Sequence, residues 1–393
     1  MIYLDHAATS PLDPRVLEAM LPYLKEEYGN PGSLHACGRS AKRAVDKARQ
    51  QVAGFFNCEP EQVIFTSGGT EGNNTVIFGV ETQLRRTGKN ALIISRVEHD
   101  SVWKAAHRMC MKRDFDLAVC DPDGSGEITP DAVKDQFERS LDMQDWKPGL
   151  VSVMMANNET GVVNDTAAIA HFCHANGMLF HSDAVQAAGI LPLDTKNVYP
   201  VDFMTVSSHK INGPKGMGAL FARDPEILSP LIHGGADQEF GYRGGTENVA
   251  GIVGFGLACE LASEEYAARL RYLTVQHSQF LFRVKSLAAQ SGVPLRVNGD
   301  VGKILPKTVS LCFPGVDAET LLLMLDARGI CLSAGSACRA HENTPSRVLT
   351  AMGVSPDDAR CSVRVSLSHC NTPSELDAAA EAIVACAARL RGV

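Results

Sequence analysis

Between about residue 60 and residue 230 the chain alternates short apolar runs with stretches patterned as helices. The runs at 62–66, 91–95, 150–156, 178–181, 203–207 and 218–222 have the length and composition of strands covered on both faces. Between them, 70–86, 101–111 and 166–176 carry helical periodicity. Few architectures tolerate this rhythm. It predicts an α/β domain whose largely parallel sheet is sandwiched between helices. Ligands of such sheets lie beyond the carboxyl ends of the strands, so the residues just after each run matter most.

From about residue 259 the pattern changes. A long helical stretch runs to 287, short strands follow at 308–313 and 363–367, and helices follow at 318–327, 346–352 and 373–390. This reads as a smaller α+β domain. The expected division is a large domain at 16–258 and a small one made of 1–15 and 259–393, packed together without a flexible linker. At 393 residues, 45% hydrophobic and 21% charged, the chain supports sizeable cores.

A net charge of −8 argues against direct nucleic-acid binding. No run of about 18 apolar residues exists to span a membrane. The opening residues Met1–His6 lack the basic and apolar parts of a signal peptide, so a cytoplasmic location is expected. The twelve cysteines are scattered with no Cys-x-x-Cys, which speaks for reduced thiols over structural zinc. His171-Phe172-Cys173-His174 lies within a helical pattern, and no metal site is expected there.

Lys210 closes Val206-Ser207-Ser208-His209-Lys210 at the end of one strand run, and Asp183 ends an earlier one. A lysine and an acid so placed are the pair that a pyridoxal phosphate enzyme requires. The amine forms the Schiff base, and the acid keeps the pyridine nitrogen protonated so that the ring withdraws electrons. Ser67-Gly68-Gly69-Thr70-Glu71 opens a helix after the 62–66 run; it suits a phosphate, or simply a capped turn. It is neither a Walker loop nor a GxGxxG fingerprint, so ATP and NAD are poorly supported. His99 follows the 91–95 run, where an imidazole can lie over an aromatic cofactor, or merely neighbour a helix cap at Asp100 or Ser101. Asn157-Asn158 is a turn signal or an amide donor to cofactor or substrate. Gln186, three residues past Asp183, suits a ring oxygen. Arg364 has the fork geometry for a substrate carboxylate, with a surface salt bridge as its ordinary alternative. Cys338 sits on a small and polar tract before a helix with Thr344 and Pro345 as N-cap and N1. Arg339 and His341 nearby favour a thiolate, against the plainer reading of an incidental exposed thiol.

Seven motifs in order carry a resemblance across nearly the whole chain. They are Tyr3-Leu4-Asp5-His6-Ala7-Ala8-Thr9, Gly29-Asn30-Pro31-Gly32-Ser33-Leu34-His35, Thr66-Ser67-Gly68-Gly69-Thr70-Glu71, Asn157-Asn158-Glu159-Thr160-Gly161-Val162, Ser207-Ser208-His209-Lys210, Arg243-Gly244-Gly245-Thr246 and Gly335-Ser336-Ala337-Cys338. The chain resembles the cysteine desulfurases of the iron–sulfur-cluster and nitrogenase-associated class, which are fold-type I pyridoxal 5'-phosphate enzymes. The resemblance implies a seven-stranded-type sheet and a homodimer. It implies Lys210 as the Schiff-base lysine, Asp183 on the pyridinium, Gln186 and Asn158 near the ring oxygen, and His99 stacked on the ring. Gly69, Thr70, Ser207 and His209 would hold the phosphate, with Thr246 reaching the partner subunit's phosphate. Arg364 would bind the carboxylate of L-cysteine, and Cys338 would take the sulfur as a persulfide, releasing alanine. The loop from Cys338 to Pro345 matches the group that delivers sulfur to separate acceptor proteins, an iron–sulfur scaffold among the possibilities. The alternatives are a selenocysteine lyase, another aminotransferase-like enzyme, or a non-catalytic scaffold. The stretch Ser366-Leu367-Ser368-His369-Cys370-Asn371-Thr372 departs from the family's usual run, and Cys370 is either a second thiol in the sulfur path or a passenger.

Overall fold

The protein is described from a computed structural model covering residues 1–143, 145–235, 238–335 and 344–392. Twelve strands are present among these residues. The first, β1 (Ile2–Tyr3), stands apart from the main sheet. That sheet contains β2 (Val63–Thr66), β3 (Ala91–Ser95), β4 (Asp116–Cys120), β5 (Pro148–Ser152), β6 (Leu179–Asp183), β7 (Phe203–Ser207) and β8 (Gly218–Ala222). Their order is β2-β8-β7-β6-β5-β3-β4. Six strands point one way, and β8 runs against both of its neighbours.

Alternate residues of these strands face opposite layers, as the period of two requires. Ile64, Leu92, Ile94, Leu150, Phe203 and Leu220 pack with Val76, Ile77, Val102 and Ala106 of the helices Gly69–Gly79 and Asp100–Arg113. Phe65, Ile93, Val151, Phe180, Met204 and Phe221 face the other way, into a core shared with Val52 and Phe56 of the helix Ala36–Phe56 and Phe255 of the helix Val249–Glu264. Burial on both faces is why the strand runs are continuously apolar.

The remaining strands are β9 (Arg296–Asn298), β10 (Thr308–Cys312), β11 (Ile330–Cys331) and β12 (Ser362–Ser366). β10 pairs antiparallel with β9 and β12, with Ser310 opposite Arg364. The helices Tyr266–Gln290, Ala318–Asp326 and Pro373–Arg391 accompany this small sheet; the last opens on a capping box between Thr372 and Glu375. β1 pairs parallel with β11, and Asp5 bridges to Ser366. The first residues of the chain are thereby fixed to its last quarter.

Several expectations need correction. The 70–86 stretch is two helices, Gly69–Gly79 and Glu81–Arg86, meeting at Val80. The helical stretch expected from 259 is likewise two, Val249–Glu264 and Tyr266–Gln290. The strand expected at 150–156 ends at Ser152, and Ala156 instead bridges Val163 in the turn beyond. Ser346, not Thr344, caps the helix Arg347–Ala351 by accepting the Leu349 N–H. His171-Phe172-Cys173-His174 does lie on a helix, Thr166–Ala175; Cys173 is buried and His174 Nε2 lies 2.9 Å from Asp202.

Candidate active site

The carboxyl ends of the sheet surround one cleft of about 230 Å3. Chain order reverses at β3, which has β4 on one side and β5 on the other, and such a switch point is where an α/β sheet opens a crevice. His99 enters the cleft after β3, Asn158 after β5, Asp183 and Gln186 at and beyond the end of β6, and Ser207, His209 and Lys210 from the end of β7. Gly69 and Thr70 enter from the helix that follows β2. Nine of the residues expected from the sequence to meet the cofactor thus line a single cavity.

Lys210 Nζ donates to the carbonyls of Ala7 at 2.5 Å and Ala8 at 2.7 Å, so the N-terminal segment forms one wall. Asp183 is buried, and both its oxygens are oriented. Oδ2 accepts from Asn73 Nδ2 at 2.7 Å, and Oδ1 accepts from the Val185 N–H at 3.0 Å. Close by, Glu98 accepts from Ser95 Oγ and from the Met154 N–H. Burial pushes Glu98 up to about 8, and the charge of Asp183 adds to the rise.

His99 caps the helix Asp100–Arg113: its Nδ1 accepts the Ser101 N–H at 3.2 Å and lies 2.8 Å from Ser101 Oγ. The capping and cofactor-facing readings of His99 therefore coexist, and the cap is His99 itself. A ring nitrogen that accepts an amide N–H leaves the proton on Nε2. Gln186 Nε2 donates to the Ala7 carbonyl at 3.0 Å, while its Oε1, like Asn73 Oδ1, is buried without a partner among the described residues. Buried polar atoms are normally satisfied, so two orphans on one cleft wall mark a place for a polar ligand.

At the other end, Gly68 adopts φ +146°, and the helix Gly69–Gly79 begins behind it. Its free N–H groups, Thr70, Ser207 and His209 surround an adjoining hollow that also reaches Lys215. His209 is pushed down to about 4, by burial first and then by Lys210 and Lys215, so at neutral pH it is an uncharged imidazole. A ring-sized cleft with a lysine, a buried acid, orphaned amides and an anion cradle fits pyridoxal phosphate.

Arg364 is 2% exposed, which rules out the surface salt bridge. Its Nη2 pairs with Asp5 at 2.7 Å and its Nη1 donates to the Asn158 carbonyl at 2.8 Å, placing it against the cleft wall. Of the asparagine pair, Asn158 faces the cleft, whereas buried Asn157 holds the turn by accepting the N–H groups of Glu159 and Thr160. Thr246 lies in a separate depression beside Arg243, whose Nε pairs with Glu71 at 3.0 Å. Cys338, with Arg339 and His341, lies outside the described residues. Cys370 is exposed.

Asn73, Asp5 and the carbonyls of Ala7 and Ala8 were given no role in the site from the sequence, and Ser101 only that of a possible helix cap. Only Asn73 left a signal there: it stands one helical turn after Thr70 and so shares its face.

The aminotransferase class-V family model matches residues 2–379. The putative cysteine desulfurase IscS 1 of Bacillus subtilis (strain 168) is 40% identical over 390 residues, 99% of each chain. The solved structure of a NifS-like protein shares a TM-score of 0.87 at 32% identity, covering 98% of both chains. That of SspA in complex with cysteine shares a TM-score of 0.78 at 31% identity, covering 94% of this chain and 99% of its own. With likeness of this extent over nearly the whole chain, the chain belongs to the aminotransferase class-V family and, within it, to the cysteine desulfurases.

Proposed function

We propose that the protein is a pyridoxal 5'-phosphate-dependent cysteine desulfurase that takes sulfur from L-cysteine onto Cys338 and releases L-alanine. The observation that carries this is the convergence of Lys210, Asp183, His99, Gln186 and Asn158 on one cleft, with Arg364 against its wall. When bound, the cofactor supplies an electron-withdrawing ring that accepts negative charge from the substrate Cα.

The chain's own residues do the rest. Asp183, oriented by Asn73, would pair with the ring nitrogen, and His99 would lie against the ring. Gly69, Thr70, Ser207 and His209 hold the phosphate. Arg364 takes the substrate carboxylate, exchanging its pairing with Asp5 for a two-pronged clamp. Lys210 Nζ would hold the cofactor, and its free amine would move the substrate's Cα proton. The Cys338 thiolate attacks the substrate sulfur; an S–S bond forms, the C–S bond breaks with its electron pair going to Cβ, and protonation of Cβ followed by return of the Cα proton gives alanine. Thr246 reaches the phosphate of the second subunit of a homodimer. A sulfur-acceptor protein, such as an iron–sulfur scaffold in the cytoplasm, discharges the persulfide.

Borohydride reduction followed by peptide mass mapping tests the anchor, and the reduced adduct is expected on Lys210 alone. Incubation with L-cysteine should yield alanine and a persulfide on Cys338. Cys338→Ala should keep the chromophore and lose the persulfide. An adduct on another lysine, or undiminished cysteine turnover by Cys338→Ala, overturns the reading; the latter with faster selenocysteine turnover indicates a selenocysteine lyase.

A further inference from the structure

A second, narrow cavity shares only Lys210 with the cofactor cleft. It lies between the N-terminal segment, the turn Ser208–Lys210, the helix Tyr266–Gln290 and the entries to and exits from the small sheet. Its ionisable lining is of one kind: His6, Lys210, Arg269, Lys307 and His369, with no carboxylate among the described residues that line it. His369 comes from the stretch that departs from the family's usual run.

Two of these groups are left in an unusual position. Lys307 is 5% exposed, and its amine makes no hydrogen bond or ion pair with a described residue. His6 is 6% exposed, and among the described residues its ring nitrogens make no well-aligned hydrogen bond, with the Tyr3 carbonyl and the Asn371 side chain as their polar neighbours. The nearest carboxylates are engaged elsewhere: Asp5 with Arg364, Asp13 with Arg15, and Glu265 with Arg15 and Arg269. The hydroxyls of the lining are engaged too, Ser10 Oγ with the His209 carbonyl and the Asn212 N–H, and Ser368 Oγ with the Cys370 N–H. A buried amine without a counter-charge either gives up its proton or acquires an anion.

We propose that this cavity binds a small inorganic monoanion of halide size, held by the Lys307 ammonium and by ring N–H groups of His6 and His369. A lining that offers donors and positive charge suits an ion that only accepts. The two histidines are pushed down to about 4, mainly by burial, and remain neutral donors near pH 7. Lys307 is pushed down to about 7 by burial and then by Lys210 and Arg364, so without the anion it is close to half protonated there. Anion binding is thereby linked to proton uptake. Affinity should be highest below pH 7 and fall by up to about tenfold per pH unit above it, until the anion-bound amine itself titrates. The site adjoins the cofactor cleft through Lys210, whose charge also bears on Lys307, whereas its three ligating groups lie outside that cleft.

Calorimetric titration of the full chain with sodium bromide, at about pH 6.5 and about pH 8.5 and constant ionic strength, tests this. The expected result is one saturable bromide per chain, bound at least about tenfold more weakly at the higher pH. Bromine-edge anomalous diffraction should place the ion beside Lys307. Lys307→Met, which keeps the stem and removes the charge, should abolish saturable binding. His369→Asn, measured alongside it, should weaken binding several-fold while keeping the pH dependence. Non-saturable binding, equal affinity at the two pH values, a bromide peak elsewhere, or parental binding by Lys307→Met overturns the proposal. Should Lys307→Met not fold, the parental pH dependence and the His369→Asn result decide it on the same terms.

Discussion

Asp183 and His181 sit two residues apart on β6 and show how one strand serves chemistry and stability differently. Asp183 points its two oriented oxygens at the cleft. Replacing it by Asn preserves shape and removes the charge that a pyridinium would meet. Asp183→Asn should lower kcat/KM for L-cysteine by about 100- to 1000-fold, while borohydride still traps the cofactor on Lys210. His181 is fully buried between Ser152 Oγ at 2.8 Å and Thr205 Oγ1 at 3.2 Å, and burial pushes it down to about 3. Its folded-state pKa lies below the unfolded value near 6.5, so the unfolded chain binds the proton more readily. The stability tied to neutral His181 is complete above about pH 6.5 and is lost as pH falls toward 3, on the order of 3 kcal/mol by pH 4. Denaturation midpoints measured from pH 7 to pH 4 should fall, and His181→Gln should flatten that slope. Of this strand, Asp183 was legible in the sequence because the chemistry demands an acid at a strand end. Asn73, which orients it, belongs to a distant helix, and only the tertiary fold brings the two to 2.7 Å.

At the scale of elements, the helix Gly69–Gly79 aims the phosphate cradle, and its approach to the sheet depends on Gly72. A Cβ there would lie 2.6 Å from Thr205 Cγ2 on β7. Gly72→Val must push the helix outward, with an overpacking cost of about 1–3 kcal/mol. The same movement carries the helix N-terminus away from Ser207 and His209. Pyridoxal phosphate should therefore dissociate faster from the variant, as followed by loss of the bound chromophore on gel filtration. This helix was readable from its Gly-Gly-Thr start, whereas its end at Val80 was not, because the next helix continues the same periodicity. Strand β4 went unread for a different reason. Asp116-Leu117-Ala118-Val119-Cys120 lies at the sheet edge, with three of its five residues only partly buried, so it lacks the continuous apolar run of its neighbours. The central strands carry that run because helices cover both their faces. The site residues at their ends were correspondingly easy to locate.

For the whole molecule, the proposed homodimer raises the question of whether Thr246 serves a phosphate within its own chain or in a second copy. Within one chain it lies outside the cleft that holds Lys210, yet the neighbouring Arg243 is paired with Glu71 on the helix whose N-terminus forms the anion cradle. A residue so close to the cradle and still facing another depression is well placed to serve a second copy of the chain. Mixed dimers can separate service in trans from service in cis. Let one subunit carry Lys210→Ala and the other Thr246→Val, with distinct affinity tags to isolate the hybrid. If Thr246 acts across the interface, one site of the hybrid collects both defects and the other collects neither. The hybrid should then hold about one tightly bound cofactor per dimer and show about half the parental desulfurase activity, although the Lys210→Ala homodimer should be inactive and the Thr246→Val homodimer should bind cofactor weakly. If Thr246 acts within its own chain, each site of the hybrid carries one defect, and no site of parental affinity appears. Cofactor titration of the purified hybrid distinguishes the two outcomes without reference to turnover, and a single weak class of sites would remove Thr246 from the neighbouring subunit's phosphate.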